Sequence, residues 1–279
     1  MEIKAADVKA LRDKTGAGMM ECKHALTECN GDPAAAEKLL KEKGLAAVEK
    51  RADRATSEGL VLIKNTDKKA VIAEVTCETD FVAKNADFIA LGGKIIDAAY
   101  DKGITGVTPE LSNMVLDLAT KVRENMALTR LEAVNAGADE YISKYVHSDK
   151  KTGVVIMLKS DKPEAFANKA IQEFAYDCCL HIAAFAPMYV TSAEVDPKYI
   201  AEQTEIFKVQ AKESGKPEKV QEGIVQGKIK KHLAEICFMD QAFVKDDKMS
   251  VAKKMEEVGK AAGCKLTVSK VVFYQLGAK

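Results

Sequence analysis

The hydrophobic spacing changes character along the chain, and that change constrains the fold more than any other feature. Before residue 55 apolar side chains recur at helical intervals; after it come two pairs of short β-type runs, each followed by helical stretches. Leu60-Val61-Leu62-Ile63 and Val71-Ile72-Ala73-Glu74-Val75 flank Asn65-Thr66-Asp67-Lys68-Lys69, a hairpin signal. Ile142 to Val146 and Val154-Val155-Ile156-Met157-Leu158 repeat the arrangement around Ser148-Asp149-Lys150-Lys151-Thr152-Gly153. The shared Asp-Lys-Lys turn (67–69 and 149–151) points to two related hairpin-plus-helix units, although Asp and Lys are ordinary turn residues. Phe88, Leu91, Ile95, Ile96 and Ala99 define the first following helix, and a second is predicted from about Pro109 to Ala127 behind a Thr108 cap. The helix predicted after Pro163 carries Ala167, Ile171, Phe174, Ala175, Cys178 and Ile182.

Residues 1–54 read as a compact helical module. Val8, Leu11 and Arg12 lie on a first helix that stops at Thr15-Gly16-Ala17-Gly18, where two glycines supply the turn. A second helix carries Met19, Cys22, Leu26 and Cys29 and ends near Asn30-Gly31-Asp32-Pro33. Asp32 then caps a third, with Pro33 as its first residue, which runs through Leu39 and Leu40 towards Gly44. Glu49 to Arg54 has the look of a linker.

Residues 197–234 differ again. Two polar helices around Ser214-Gly215-Lys216-Pro217 imply an antiparallel hairpin that protrudes as an arm, with Tyr199, Ile206 and Val209 facing Val220, Ile224 and Leu233. Mixed structure returns with Ala242-Phe243-Val244, a helix after Ser250 and a strand from Val268 to Phe273.

Composition removes several classes. The 42 basic and 42 acidic side chains cancel, whereas a duplex-binding protein needs positive surplus, so no direct nucleic-acid partner is expected. No apolar run approaches the roughly 20 residues that span a bilayer, so no membrane association is expected. Met1-Glu2-Ile3-Lys4-Ala5-Ala6-Asp7 lacks the apolar core of a signal peptide. The seven cysteines are odd in number and contain no CxxC pair, so they are read as reduced packing thiols in a cytoplasmic compartment. Neither a metal nor another cofactor is implied.

Two segments carry more specific information: Leu11-Arg12-Asp13-Lys14-Thr15-Gly16-Ala17-Gly18-Met19-Met20-Glu21-Cys22-Lys23-His24-Ala25-Leu26, and Glu74-Val75-Thr76-Cys77-Glu78-Thr79-Asp80-Phe81-Val82-Ala83-Lys84-Asn85. Both resemble, in order and separation, the signatures of the bacterial elongation factor Ts family. The resemblance extends through Ser214-Gly215-Lys216-Pro217 to Gln241-Ala242-Phe243-Val244. Thr76 stands where that family more often has Asn, His24 where Lys or Arg is usual, and Ala242 where Pro is common.

With the resemblance, the predicted fold is α+β. Its parts are a small three-helix, UBA-like N-terminal domain (1–54), a first core subdomain (55–140), a second (141–190 and 235–279) and an inserted helical hairpin (191–234). The resemblance implies a non-enzymatic exchange factor for elongation factor Tu, binding its GDP-loaded and nucleotide-free forms. It implies that the module grips the nucleotide-binding domain through Arg12, Met19 and Met20. It further implies that Thr79, Asp80, Phe81 and Val82 form an exchange segment, Phe81 entering a pocket near the GTPase magnesium, and that His147 lies near the interface. The hairpin is a candidate for self-association into a homodimer or for more factor contacts.

The residues alone support plainer roles. Adjacent methionines cannot easily share a helix face, so one of Met19 and Met20 is expected to be buried and the other exposed. Thr79 or Asp80 would cap the following helix with Phe81 packed beneath it. His24 and His181 fit packing or surface positions, and His232, in the basic run Lys228 to His232, fits a solvated face. Two rival functions remain: a thiol enzyme using Cys178 or Cys179 with His181, and an RNA-binding accessory protein using Lys228 to Lys231.

Overall fold

The computed structural model describes residues 3–213 and 215–278. The readings that involve Met1, Glu2 and Ser214 lie outside the described residues.

Three helices form the N-terminal module: α1 (Ala5–Thr15), α2 (Met19–Glu28) and α3 (Pro33–Glu49). Gly16 ends α1 in the left-handed region (φ 70°), returning its N–H to the Arg12 carbonyl. The Asp32 carboxylate accepts from the Ala34 amide at 2.8 Å and caps α3. Val8, Leu11, Cys22, Ala25, Leu26 and Ala36 make the module's core. Contrary to the expected stop, α3 continues through Gly44. A Cβ at Gly44 would lie 3.3 Å from the Thr120 side chain, so this glycine permits close approach of another helix and does not end its own. The extension carries Val48 into the core of the next layer.

That layer is a sheet in the order β1-β2-β3, all antiparallel: β1 (Glu58–Asn65), β2 (Lys69–Cys77) and β3 (Met126–Asn135). Between β2 and β3 run a single turn of helix, α4 (Asp80–Ala83), then α5 (Ala86–Lys102) and α6 (Pro109–Val122). Asn85 caps α5, and Thr108 caps α6 as expected. The predicted helix to Ala127 is too long. Arg123 adopts the left-handed conformation (φ 66°), closes α6, and β3 begins three residues later.

A second sheet repeats the connectivity in the order β4-β5-β8: β4 (Glu140–Val146), β5 (Thr152–Ser160) and, after the intervening elements, β8 (Leu266–Gln275). A 3-10 turn at Pro163–Ala167 precedes α7 (Lys169–Phe185), so the helix predicted after Pro163 starts later, behind an Asn168 cap. The strands β6 (Ala242–Phe243) and β7 (Asp246–Ser250) form a small ribbon ahead of α10 (Val251–Ala261).

Between α7 and that ribbon stand α8 (Pro197–Glu213) and α9 (Glu218–Ile236), packed on each other as the arm. Its seam differs from the expected one. Ile206, Val209 and Val220 are exposed, whereas Ala211 and Val225 are buried. Positions 199, 203, 207 and 211 line one side at helical spacing, and Ile206 and Val209 fall just off it. His232 is drawn into this seam, 2.9 Å from the Tyr199 hydroxyl, and so does not sit on a solvated face.

The two sheets lie face to face. Val61, Ala70, Ile72 and Val134 of the first meet Ile142, Val155, Met157, Val272 and Tyr274 of the second. Helices α5 and α6 cover the outer face of the first sheet, α7 and α10 that of the second. The central strands β2 and β5 are therefore buried on both faces, which explains their nearly continuous apolar runs. Buried Glu74 on β2 is ion-paired by Arg130 on β3, whose guanidinium also stacks over Tyr274 of β8 at 4.2 Å. Where β5 faces β1, a Cβ on Gly153 would sit 2.6 Å from Val61 Cγ1. Gly153→Ala is expected to overpack this seam and cost about 1–3 kcal/mol, read as a lowered urea midpoint at unchanged slope. An unchanged midpoint would show that the sheets are free to part.

Candidate functional site

The second signature segment leaves the sheet at the end of β2 and turns into α4. One helical turn cannot stabilise itself, since nucleation is unfavourable, so its conformation is imposed from outside. Thr79 caps it, accepting from the Val82 amide at 3.4 Å. The Glu124 carboxylate, just past α6, accepts from the amides of Glu78 (3.1 Å) and Thr79 (3.0 Å) and from the Thr79 hydroxyl (2.6 Å). The Cys77 thiol donates to the Thr79 carbonyl. Burial foremost, then the negative charge of Glu124 and of Glu58, pushes that thiol up to about 12, so it stays protonated as a donor.

Within α4 the side chains separate. Val82 and Ala83 enter the core of the first layer. Phe81 does not pack beneath the following helix: it is 83% exposed. With Val82 turned inward on a four-residue helix, its neighbour is directed outward. Asp80 accepts from Lys84 at 2.6 Å, and this hydrogen bond, ahead of its other contacts, holds the Asp80 carboxyl below its ordinary range.

Met19 and Met20 are both exposed, at 40% and 61%, against the expectation that one would be buried. They are the first two residues of α2, where side chains lean back over the helix end and miss the packed face of Cys22, Ala25 and Leu26. Arg12 is also exposed, and no ion pair holds its side chain among the described residues. The module is tied to the core beside α4. Arg123 pairs with Glu21 of α2, and the next residue is the Glu124 that holds Thr79.

His147 lies exposed where β4 turns towards β5, 2.9 Å from the Tyr145 hydroxyl. This turn rests on β1: the Val61 amide donates to the Lys150 carbonyl at 2.7 Å, and Lys151 pairs with Glu58 at the same distance. The Glu58 hydrogen bond chiefly, with smaller help from the charges of Asp149 and Asp80, holds the Lys151 ammonium above its ordinary value. The His147 turn and the Asp80 segment thus lie within electrostatic reach of each other. Glu124 went unnoticed in the sequence, where an acid after a basic helix end is unremarkable. Phe185 and Met188, exposed at the end of α7, were also missed because nothing in apolar spacing marks a residue as uncovered.

The thiol-imidazole cluster has a different character. Cys178, Cys179 and His181 are buried on α7. Burial raises the Cys178 thiol well above its usual value and Cys179 to about 12. His181 donates from Nε2 to Gln241 Oε1 (2.9 Å) and accepts at Nδ1 from the Val244 amide (3.2 Å), the pattern of a neutral ring, and burial lowers its pKa. A cleft of about 640 Å³ lies between the module and α6; its lining includes Lys14, His24, Arg51 and Lys121, and none of the eight residues of the expected interface. No helix among the described residues is long and apolar enough to cross a membrane.

Fold and site together describe an α+β protein that carries an exposed aromatic ring, Phe81, on a turn held by Thr79 and Glu124. The family model described as Elongation factor TS matches residues 78–278. Proteins named Elongation factor Ts are similar over essentially the whole chain: 69% identical in Treponema denticola (99% of both chains), 54% in Treponema pallidum (100% of both) and 40% in Borreliella burgdorferi (99% of both). The chain belongs to the elongation factor Ts family, whose members are translation elongation factors.

Burial orders the thiols. In the native protein at pH 8, iodoacetamide is expected to label the half-buried Cys29 and Cys264 first, leaving Cys77, Cys178, Cys179 and Cys237 unmodified by mass spectrometry. Rapid labelling of Cys178 or Cys179 would revive the thiol-enzyme alternative.

Proposed function

We propose that this protein is a guanine nucleotide exchange factor for elongation factor Tu, acting by protein contact without covalent catalysis. The observation that carries the proposal is Phe81, an aromatic ring 83% exposed on a turn that Thr79 and Glu124 hold in place. Burying such a ring is worth about 2 kcal/mol, which becomes available only on docking. In this proposal Phe81 enters a pocket beside the GTPase magnesium, with Thr79, Asp80 and Val82 shaping its approach. Arg12, Met19 and Met20 grip the nucleotide-binding domain, the thioethers adapting to its surface. His147 meets the partner nearby.

The physical logic needs no acid, base or nucleophile. Bound guanine nucleotide is held by backbone amides, a lysine and magnesium around its phosphates. A ring wedged beside them displaces the metal and loosens the phosphate loop. A factor that binds the empty GTPase better than the loaded one weakens GDP by that same coupling energy, acts in both directions and consumes nothing. Segments 1–54, 55–140, 141–190 with 235–279, and 191–234 would act as separate parts, the hairpin serving self-association or further factor contacts. The proposed setting is the cytoplasm, without membrane or direct nucleic-acid binding.

Elongation factor Tu from the same organism, loaded with fluorescent GDP, provides the test. Substoichiometric amounts of this chain should accelerate release. Phe81→Ala should lower the acceleration about tenfold or more while leaving thermal stability nearly unchanged, because the ring is not part of the core. Unchanged release with the intact chain would refute the exchange function.

A further inference from the structure

We infer that Glu124 is a positioning residue for Phe81, and that the turn Arg123-Glu124-Asn125 joins the N-terminal module to the exchange segment. The inference rests on the exchange function proposed above. Three consecutive side chains leave this turn for three different parts of the protein. Arg123 pairs with Glu21 on α2. Glu124 takes both amides and the hydroxyl at the root of α4. Asn125 donates from Nδ2 to the carbonyls of Ala52 (3.0 Å) and Arg54 (2.7 Å) in the linker that follows α3. Its own amide donates to Glu78 Oε1 at 2.6 Å, so the 78–79 and 124–125 segments exchange carboxylate–amide bonds in both directions.

The turn has this reach because Arg123 adopts a left-handed conformation that only glycine takes freely. Such a conformation persists where neighbouring contacts over-determine it, and here they do.

Glu124 also sets the direction of Phe81. The Thr79 hydroxyl has one proton and gives it to Glu124. Its lone pairs are thereby left facing the Val82 amide, the N–H whose acceptance caps α4. A chain of two hydrogen bonds therefore runs from Glu124 through Thr79 to Val82, the residue next to Phe81. The ring is 83% exposed, so its direction is set from beneath, by the turn that carries it. Preorganising an interface side chain in this way lowers the ordering cost at docking.

The test is a double-mutant cycle in the fluorescent-GDP release assay, with intact chain, Phe81→Ala, Glu124→Ala and the double variant. Glu124→Ala is expected to slow exchange about tenfold, the scale of a lost set of charge-assisted hydrogen bonds. In the Phe81→Ala background the same change should alter the rate by less than about twofold, since the positioned group is already gone. Glu124→Gln, which keeps one acceptor oxygen, should recover part of the rate. Should Glu124→Ala fold poorly, Thr79→Val supplies the same comparison by removing the hydroxyl link. Equal losses in both backgrounds, or no loss from Glu124→Ala in a folded chain, would overturn the positioning role. An undiminished rate in Phe81→Ala is a separate result: it removes the wedge itself, and the positioning role with it.

Discussion

The seam between the two sheets is the contact on which the rest of the molecule depends. With β2 and β5 buried on both faces, each sheet supplies half of one apolar layer, and helices close the outer sides. Gly153 allows the sheets to meet at Val61, and the same approach brings the β4–β5 turn onto β1, where the Lys150 carbonyl receives the Val61 amide. The His147 turn is thereby carried towards the root of α4. The juxtaposition of these two segments from different sheets is a consequence of core packing, and it does not depend on any contact between their own side chains.

Around that seam the molecule uses polar contacts for direction more than for stability. Lys84–Asp80 is a largely exposed pair and Lys151–Glu58 a half-buried one; the first is weak as a source of folding energy, and both restrict which way a short segment points. The Glu124 carboxylate is different, because it satisfies backbone donors that the four-residue α4 cannot satisfy itself. Rigid support beneath an uncovered aromatic ring is the arrangement expected of a mechanical device.

Much of the architecture was legible in the sequence because local signals agreed with one another. Asp32-Pro33, Thr108-Pro109 and Ser250 mark helix starts that the structure contains, and the two hairpins stand where their apolar runs and turns place them. The failures have particular causes. The strand β3 escaped notice because Met126-Ala127-Leu128 continues a helical pattern, and Arg123 ends α6 without a glycine. Gly44 has the local look of a helix stop, whereas its purpose, contact with Thr120, is tertiary. At the site, the plain reading left the cap between Thr79 and Asp80, of which Thr79 is the one in place, and it buried Phe81, since hydrophobicity cannot reveal that a turn directs a ring outward. The methionines were divided for a similar reason: helix-face geometry weakens in a first turn that has nothing packed above it.

The proposed wedge can be tested by locating the side chain in the complex. With Phe81 replaced by p-benzoylphenylalanine, the chain would be mixed with nucleotide-free elongation factor Tu, irradiated, and the cross-linked peptides mapped by mass spectrometry. The expected cross-links fall in the nucleotide-binding domain beside the magnesium site. Cross-links confined to another domain, or none from a complex that forms normally, would contradict the wedge.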